Sequence, residues 1–289
     1  MGGIKDKEIL NILKFYTNEI SQNNLRLFKV LLSEIRNRIN NFFRFFFKYD
    51  RTTKKTIEIY DNNWALKNNT DWFSPNNNLK IHHYGYKLYL AGSGLTQRIW
   101  QNEMIRKIHE IKPKNVLEIG SGNGINLKIL STHFSEIDFV GIDYSKKGIE
   151  KSNELKHLEL LEDLHRPLKI NKENLSSNNL SFYHANANNL PFKKDNFDLV
   201  FSVLALEQMD NIAKDVYNEI KRCSAKHIVL IEPFKNLNSF GLKFLHHKAN
   251  KYLSLKTDDF IDENLSIIEY KSDYPHKISL GVGLLHLKK

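Results

Sequence analysis

The chain has 289 residues, 41% of them hydrophobic and 26% charged, with a formal net charge of +10. This composition excludes a disordered chain, and the single cysteine, Cys223, excludes an intrachain disulfide and any multi-cysteine zinc or iron–sulfur site. The charge excludes less: nucleic acid, an anionic membrane and simple solubility all accommodate it.

The first residues, MGGIKDKEIL, lack the basic-then-apolar order of a secretory signal. Asp6 stands where a myristoylation pattern needs Ser or Thr. No run approaches the roughly 20 apolar residues of a membrane-spanning helix. A cytoplasmic, reducing location is expected, with peripheral membrane contact left open.

Residues 1–60 form a basic helical extension that holds +6 of the net charge. Ile9, Ile12, Leu13, Tyr16 and Ile20 recur at helical spacing, and Leu25, Phe28, Leu31, Leu32, Ile35 and Ile39 resume it after a polar break. The stretch FFRFFFKY that follows has two readings. Its phenylalanines can enter an anionic membrane with Arg and Lys at the headgroups, or they can pack on the sheet or on a second copy. The packing alternative is favoured.

Residues 61–80 are Asn-rich loop, with Trp64, Trp72 and Phe73 as anchors. An amphipathic helix is expected over 97–110, ending before Pro113. Residues 61–110 thus form a second segment and 111–289 a third. In that third segment short apolar strands alternate with helices, as in a parallel α/β sheet. Strands are expected at Asn115–Ile119, Phe139–Asp143, Leu180–His184, Leu199–Val203 and Ile228–Glu232. Helices are expected at 124–133, 145–163, 208–222 and 239–253. Two closing strands, 265–271 and 278–287, would form a hairpin turning at Asp273, Tyr274 and Pro275. The polar stretch 159–179 reads as a surface insertion.

The most informative stretch is Val116-Leu117-Glu118-Ile119-Gly120-Ser121-Gly122-Asn123-Gly124. A strand runs into a glycine turn, and a helix follows. Such a turn lets a ligand approach the main chain, and the helix start behind it offers free N–H groups. The dinucleotide pattern G-x-G-x-x-G is not met, because Ile125 takes the last position. That spacing speaks against a nicotinamide dehydrogenase. Asp143 ends the second strand, twenty-three residues after Gly120, where a carboxylate can hold both hydroxyls of a ribose. Tyr144 can flank an adenine.

Three segments in order, VLEIGSGNG, VGIDYS and ANANNLPFKKDNFDLVFSVLALEQM, resemble the class I S-adenosylmethionine-dependent methyltransferases, in particular the small-molecule, ubiquinone-biosynthesis type. The resemblance covers residues 114 to about 235. It implies a Rossmann-like, doubly wound, seven-stranded and mostly parallel sheet, with the N-terminal segment as a lid over the substrate. It implies that Gly120, Ser121 and Gly122 line the methionine part of S-adenosylmethionine, with Glu118 beneath. Asn186 and Ala187 would meet the adenine, although the family usually has Asp at the first of these. Ser202 and Val203 would face cofactor and substrate. Candidates for a catalytic base are Glu207, beyond the fourth strand, and His83 and Tyr84 in the segment IHHYGYKLY. His246 and His247 read as surface residues, and Cys223 as remote from the site.

The implied reaction is methyl transfer to a small-molecule, sugar or lipid acceptor, most simply at oxygen. RNA modification is a disfavoured alternative, because no RNA-binding module accompanies the domain. A non-catalytic, cofactor-binding partner or scaffold is the other. Homo-oligomer contact through residues 1–60 is a further expectation.

Overall fold

The computed structural model describes residues 5–18, 24–46, 55, 58, 59, 61, 62, 78–157 and 179–289. Ser21, Gln22 and Asn23 of the polar break, the anchors Trp64, Trp72 and Phe73, and nearly all of the 159–179 insertion lie outside them.

Seven strands form one sheet: β3 (Asn115–Ile119), β4 (Asp138–Asp143), β5 (Leu180–His184), β6 (Phe197–Val203), β7 (Ser224–Glu232), β8 (Ser266–Lys271) and β10 (Gly283–Lys288). Their order is β5-β4-β3-β6-β7-β10-β8. Every pair from β5 to β7 is parallel, and β10 runs antiparallel to both its neighbours. The period of two in each strand divides the core. Val116, Phe139, Leu199, Phe201 and Val229 face one layer, while Leu117, Ile119, Ile142, Val200 and Leu230 face the other. Helices α3 (Gly94–Ile111), α4 (Ile125–His133), α5 (Lys146–Lys156), α6 (Ala213–Cys223) and α7 (Gly241–Ala249) alternate with the strands. The chain steps outward from β3 to β5, then returns to the other side of β3 as β6. The switch point between β3 and β6 is where an open sheet of this kind holds its ligands.

Two sequence expectations need correction. The closing strands are not a tight hairpin. Between β8 and β10 the chain leaves the sheet, and β9 (His276–Lys277) pairs with β1 (Lys80–Tyr84) of a separate hairpin, β1–β2 (Lys87–Ala91). Tyr274 anchors that excursion: it is fully buried, its ring edge-on to Trp100 at 4.9 Å. His246 and His247 are not surface groups. His247 is buried and hydrogen-bonds the Pro233 carbonyl at 3.1 Å, and His246 Nδ1 bonds Asn41 of the N-terminal segment at 2.8 Å.

The N-terminal helices dock on this body. On α1 (Lys5–Asn18), Ile9, Ile12, Leu13 and Tyr16 are buried as their spacing predicts. On α2 (Asn24–Phe46) the predicted apolar stripe points outward, while Val30 and Asn41 turn inward and the helix contacts α7. No described helix is long and apolar enough to cross a membrane.

Candidate functional site

A cleft of about 360 Å³ opens at the carboxyl ends of β3, β4 and β6. Gly120 makes the turn possible, with φ at +72°, and a Cβ there would lie 2.4 Å from Ala205 Cβ. Gly124 starts α4 at φ +77°, where a Cβ would meet the Phe182 ring at 2.5 Å. Both positions demand glycine, by conformation and by space.

Asp143 sits at the wall. Its Oδ2 accepts from Gly122 N–H at 2.8 Å and its Oδ1 from Ser145 N–H at 2.7 Å. Burial raises its pKa against the pull of those two donors. Ser145 in turn caps α5 by accepting from Gly148 N–H at 2.9 Å. Tyr144 lies beside it, 5.6 Å from the His184 ring. Ser121, Asn186, Ala187 and Val203 also line the cleft.

Glu118 is buried beneath the turn. Its Oε1 accepts from Asn126 at 2.8 Å, and its Oε2 is buried with no partner among the described residues. Asn126 Oδ1 accepts from Gln101 at 3.1 Å, and Gln101 Oε1 from Arg98 at 2.8 Å. This relay ties β3 to α3 through α4. Gln97 and Asn126 reach the cleft wall, and the sequence pattern named neither. Two neutral amides in amphipathic helices carry no periodicity signal of their own.

Ser202 does not face the cleft. Its hydroxyl donates to Glu232, a fully buried carboxyl that also accepts from the N–H groups of Ala205 at 3.0 Å and Leu206 at 3.1 Å. Glu207 N–H reaches the other oxygen at 3.3 Å. Glu232 therefore organises the turn after β6, whose Leu204 is held at φ +53°. A leucine there is strained, and the surrounding bonds over-determine it. The signal for Glu232 was available: like Glu118, it is one acid at the end of an apolar strand.

The three candidate bases stand off the cleft wall. The Glu207 carboxyl accepts from Gln208 Nε2 at 2.5 Å, and it is Gln208 that lines the cleft. His83 lies in β1 with its ring 5.8 Å from that of His276, and Tyr84 packs against the core. Cys223 is buried at the end of α6.

Residues 111–252 match a protein family described as a methyltransferase domain. The chain carries a class I S-adenosylmethionine-dependent methyltransferase domain. The Agrobacterium fabrum (strain C58) ubiquinone/menaquinone biosynthesis C-methyltransferase UbiE is 26% identical over 134 residues, 43% of this chain and 45% of that protein. The match thus spans less than half of that relative's own length. N-methyltransferase NodS from Bradyrhizobium japonicum WM9 superposes with a TM-score of 0.50 at 12% identity, over 67% of this chain and 96% of that one, which speaks to the fold. Magnesium protoporphyrin IX methyltransferase ChlM from Synechocystis PCC 6803 gives 0.48 at 13% identity, over 67% and 79%.

The residues of the methyltransferase domain fit S-adenosylmethionine. Asp143 offers oxygens with lone pairs to spare. Glu118 Oε2 and Ser121 Oγ are buried without partners among the described residues, and such atoms need a polar counterpart.

Burial also sets a pH dependence. It pushes the Glu118 carboxyl from 4.5 up to about 8, against the Asn126 bond, and Glu232 up to about 7. It pushes the imidazoles of His82 and His286 down to about 3, and those of His246 and His276 to about 4, from 6.5. Below pH 6.5 unfolding takes up protons at the four histidines, so their stability contribution falls with acid. The two carboxyls act oppositely: their contribution is present below pH 4.5 and lost as pH rises through 7 to 8. On the acid side the lowered histidines, which also include His227 and His247, outnumber the raised carboxyls, which also include Asp143, and just above pH 6.5 the carboxyls set the slope. The melting temperature without cofactor should peak near pH 6.5, and Glu118→Gln should flatten the alkaline limb. A melting temperature that climbs steadily to pH 9 would contradict this.

Proposed function

We propose that the protein transfers the methyl group of S-adenosylmethionine to a small, largely apolar acceptor that carries an acidic hydroxyl. When bound, the cofactor supplies a sulfonium methyl that is already electrophilic. The protein's tasks are then to align the acceptor and to exclude water. Gly120, Ser121 and Gly122 give the methionine end its main-chain contacts, with Glu118 below for the ammonium. Asp143 holds the ribose, and Tyr144, Asn186 and Ala187 border the adenine. The acceptor lies against Leu204, Gln208, Met209 and Ile212.

The observation that carries the hydroxyl is at Gln208. Glu207 engages its Nε2, so Oε1 remains as an acceptor, buried without a partner among the described residues, on a side chain of the cleft wall. It can receive the proton of an incoming hydroxyl. Glu207 is then a positioning residue for that amide. Asp143 is the one ionisable acid on the described wall and is committed to the ribose. An acceptor that ionises readily suits a wall without a second acid or an imidazole.

A second reading, methylation at carbon, is favoured by the similarity to UbiE, named a C-methyltransferase. A transfer assay with 13C-methyl S-adenosylmethionine over phenolic and quinol-like acceptors tests both, because the product's carbon spectrum separates O-methyl from C-methyl. Gln208→Leu should raise the acceptor KM about tenfold, roughly 1.4 kcal/mol for one lost hydrogen bond, and leave cofactor affinity unchanged. Cofactor binding without transfer to any acceptor or to RNA would instead support the scaffold alternative.

A further inference from the structure

The outer face of α2 belongs to none of this chemistry. Large apolar side chains run along it from Phe28 through Leu32, Ile35 and Ile39 to Phe42 and Phe46, with Phe28 57% and Phe46 60% exposed. At about 100° per residue they fall within an arc of roughly 120°, opposite the side that meets the body. Val30 and Asn41 face inward, with Asn41 bonded to His246 of α7. The patch continues past the helix: Phe45 lies 6.4 Å from Phe244 of α7, and Phe240 just before α7 is 90% exposed.

The flanks are basic. The helix carries Arg26, Lys29, Arg36, Arg38 and Arg44 against one acid, Glu34. On the same wheel, Lys29 and Arg36 border one edge of the apolar arc and Arg38 the other. Glu34 falls on the inward side, within electrostatic range of Lys277. The exposed arc therefore has apolar residues at its centre, cations at both margins and no acid.

We propose that this face docks the protein on an anionic phospholipid bilayer, with α2 lying in the plane of the interface. Buried Phe, Leu and Ile supply the apolar part of the binding, and the marginal Lys and Arg meet the headgroups. Charge decides against a second copy as the occupant. Face-to-face pairing of two such helices would bring like-charged margins together, a repulsion that an anionic surface converts to attraction. The proposal stands apart from the methyl-transfer reading, because it uses no residue of the cleft.

The test is sedimentation of the full chain with vesicles of phosphatidylcholine alone or mixed with phosphatidylserine. The chain should pellet with the mixed vesicles, much less with phosphatidylcholine, and be released by high salt. The double variant Phe42→Glu/Phe46→Glu should stay in the supernatant. Arg36→Ala and Arg38→Ala should each weaken binding about fivefold, the equivalent of ~1 kcal/mol per basic residue at the surface. All variants should keep their S-adenosylmethionine affinity, which reports an intact domain. Failure to pellet with either vesicle, or equal pelleting with both, would overturn the proposal. So would a dimer in light scattering that the Phe42→Glu/Phe46→Glu variant dissolves.

Discussion

Asp143→Ala is expected to weaken S-adenosylmethionine binding about a hundredfold, roughly 2.8 kcal/mol at 1.4 per decade. The reason lies in what the carboxylate already does. Each oxygen is fixed by one backbone N–H, from Gly122 and from Ser145, so both are aimed before a ligand arrives. A ribose then finds two charge-assisted acceptors in place, each worth about 1.5–3 kcal/mol. Asp143→Asn keeps one carbonyl acceptor and should lose about tenfold. The apo fold should tolerate both changes, since burial already disfavours the ionised group there. Isothermal titration with S-adenosylhomocysteine reads the affinity and thermal melting reads the fold. Unchanged affinity in Asp143→Ala would remove the ribose role.

The largest effect on stability is expected at Glu232. Alanine there leaves the Ser202 hydroxyl and the N–H groups of Ala205, Leu206 and Glu207 without their acceptor, in a place closed to water. Orphaned buried donors cost about 1–3 kcal/mol each, and loss of one partner from a buried charged group about 3–5 kcal/mol in total. We expect about 4 kcal/mol, or a melting temperature lower by roughly 10 °C. Glu232→Gln retains one acceptor oxygen and should fall between. The same turn holds Leu204 in its strained conformation and carries Gln208 to the cleft. Acceptor KM should therefore rise in both variants even at temperatures where they remain folded. A melting temperature within 2 °C of wild type in Glu232→Ala would show the network to be dispensable.

The parts of the fold that were legible share one property: they are local. β3 and β5 coincide with their expected ranges, and β4 differs by one residue, because alternating apolar residues and the turns that bound them are written in adjacent positions. The glycine turn and Asp143 were legible for a related reason. A positive-φ turn between strand and helix allows few residue types, so its spacing leaves a trace. What was missed is non-local. The β1–β2 hairpin gains its third strand from β9, nearly two hundred residues later, and the closing strands are parted by that same excursion. Glu207, His83 and Tyr84 were plausible by neighbourhood, yet a side chain's direction at a strand end depends on packing from distant segments.

The N-terminal helices show the division most clearly. For α1 and α2 alike, residue spacing alone shows that one face is apolar, and composition that the segment is basic. Packing against the rest of the chain is what buries the stripe of α1 and turns that of α2 outward. Periodicity records which side chains share a face. What the face meets is set by the partner surface, and α7 meets α2 through Asn41, on the side away from the stripe. The basic excess divides in the same way: the net charge of +10 is a property of composition, while the placing of Lys29, Arg36 and Arg38 along the margins of an exposed apolar helix face is a property of the fold.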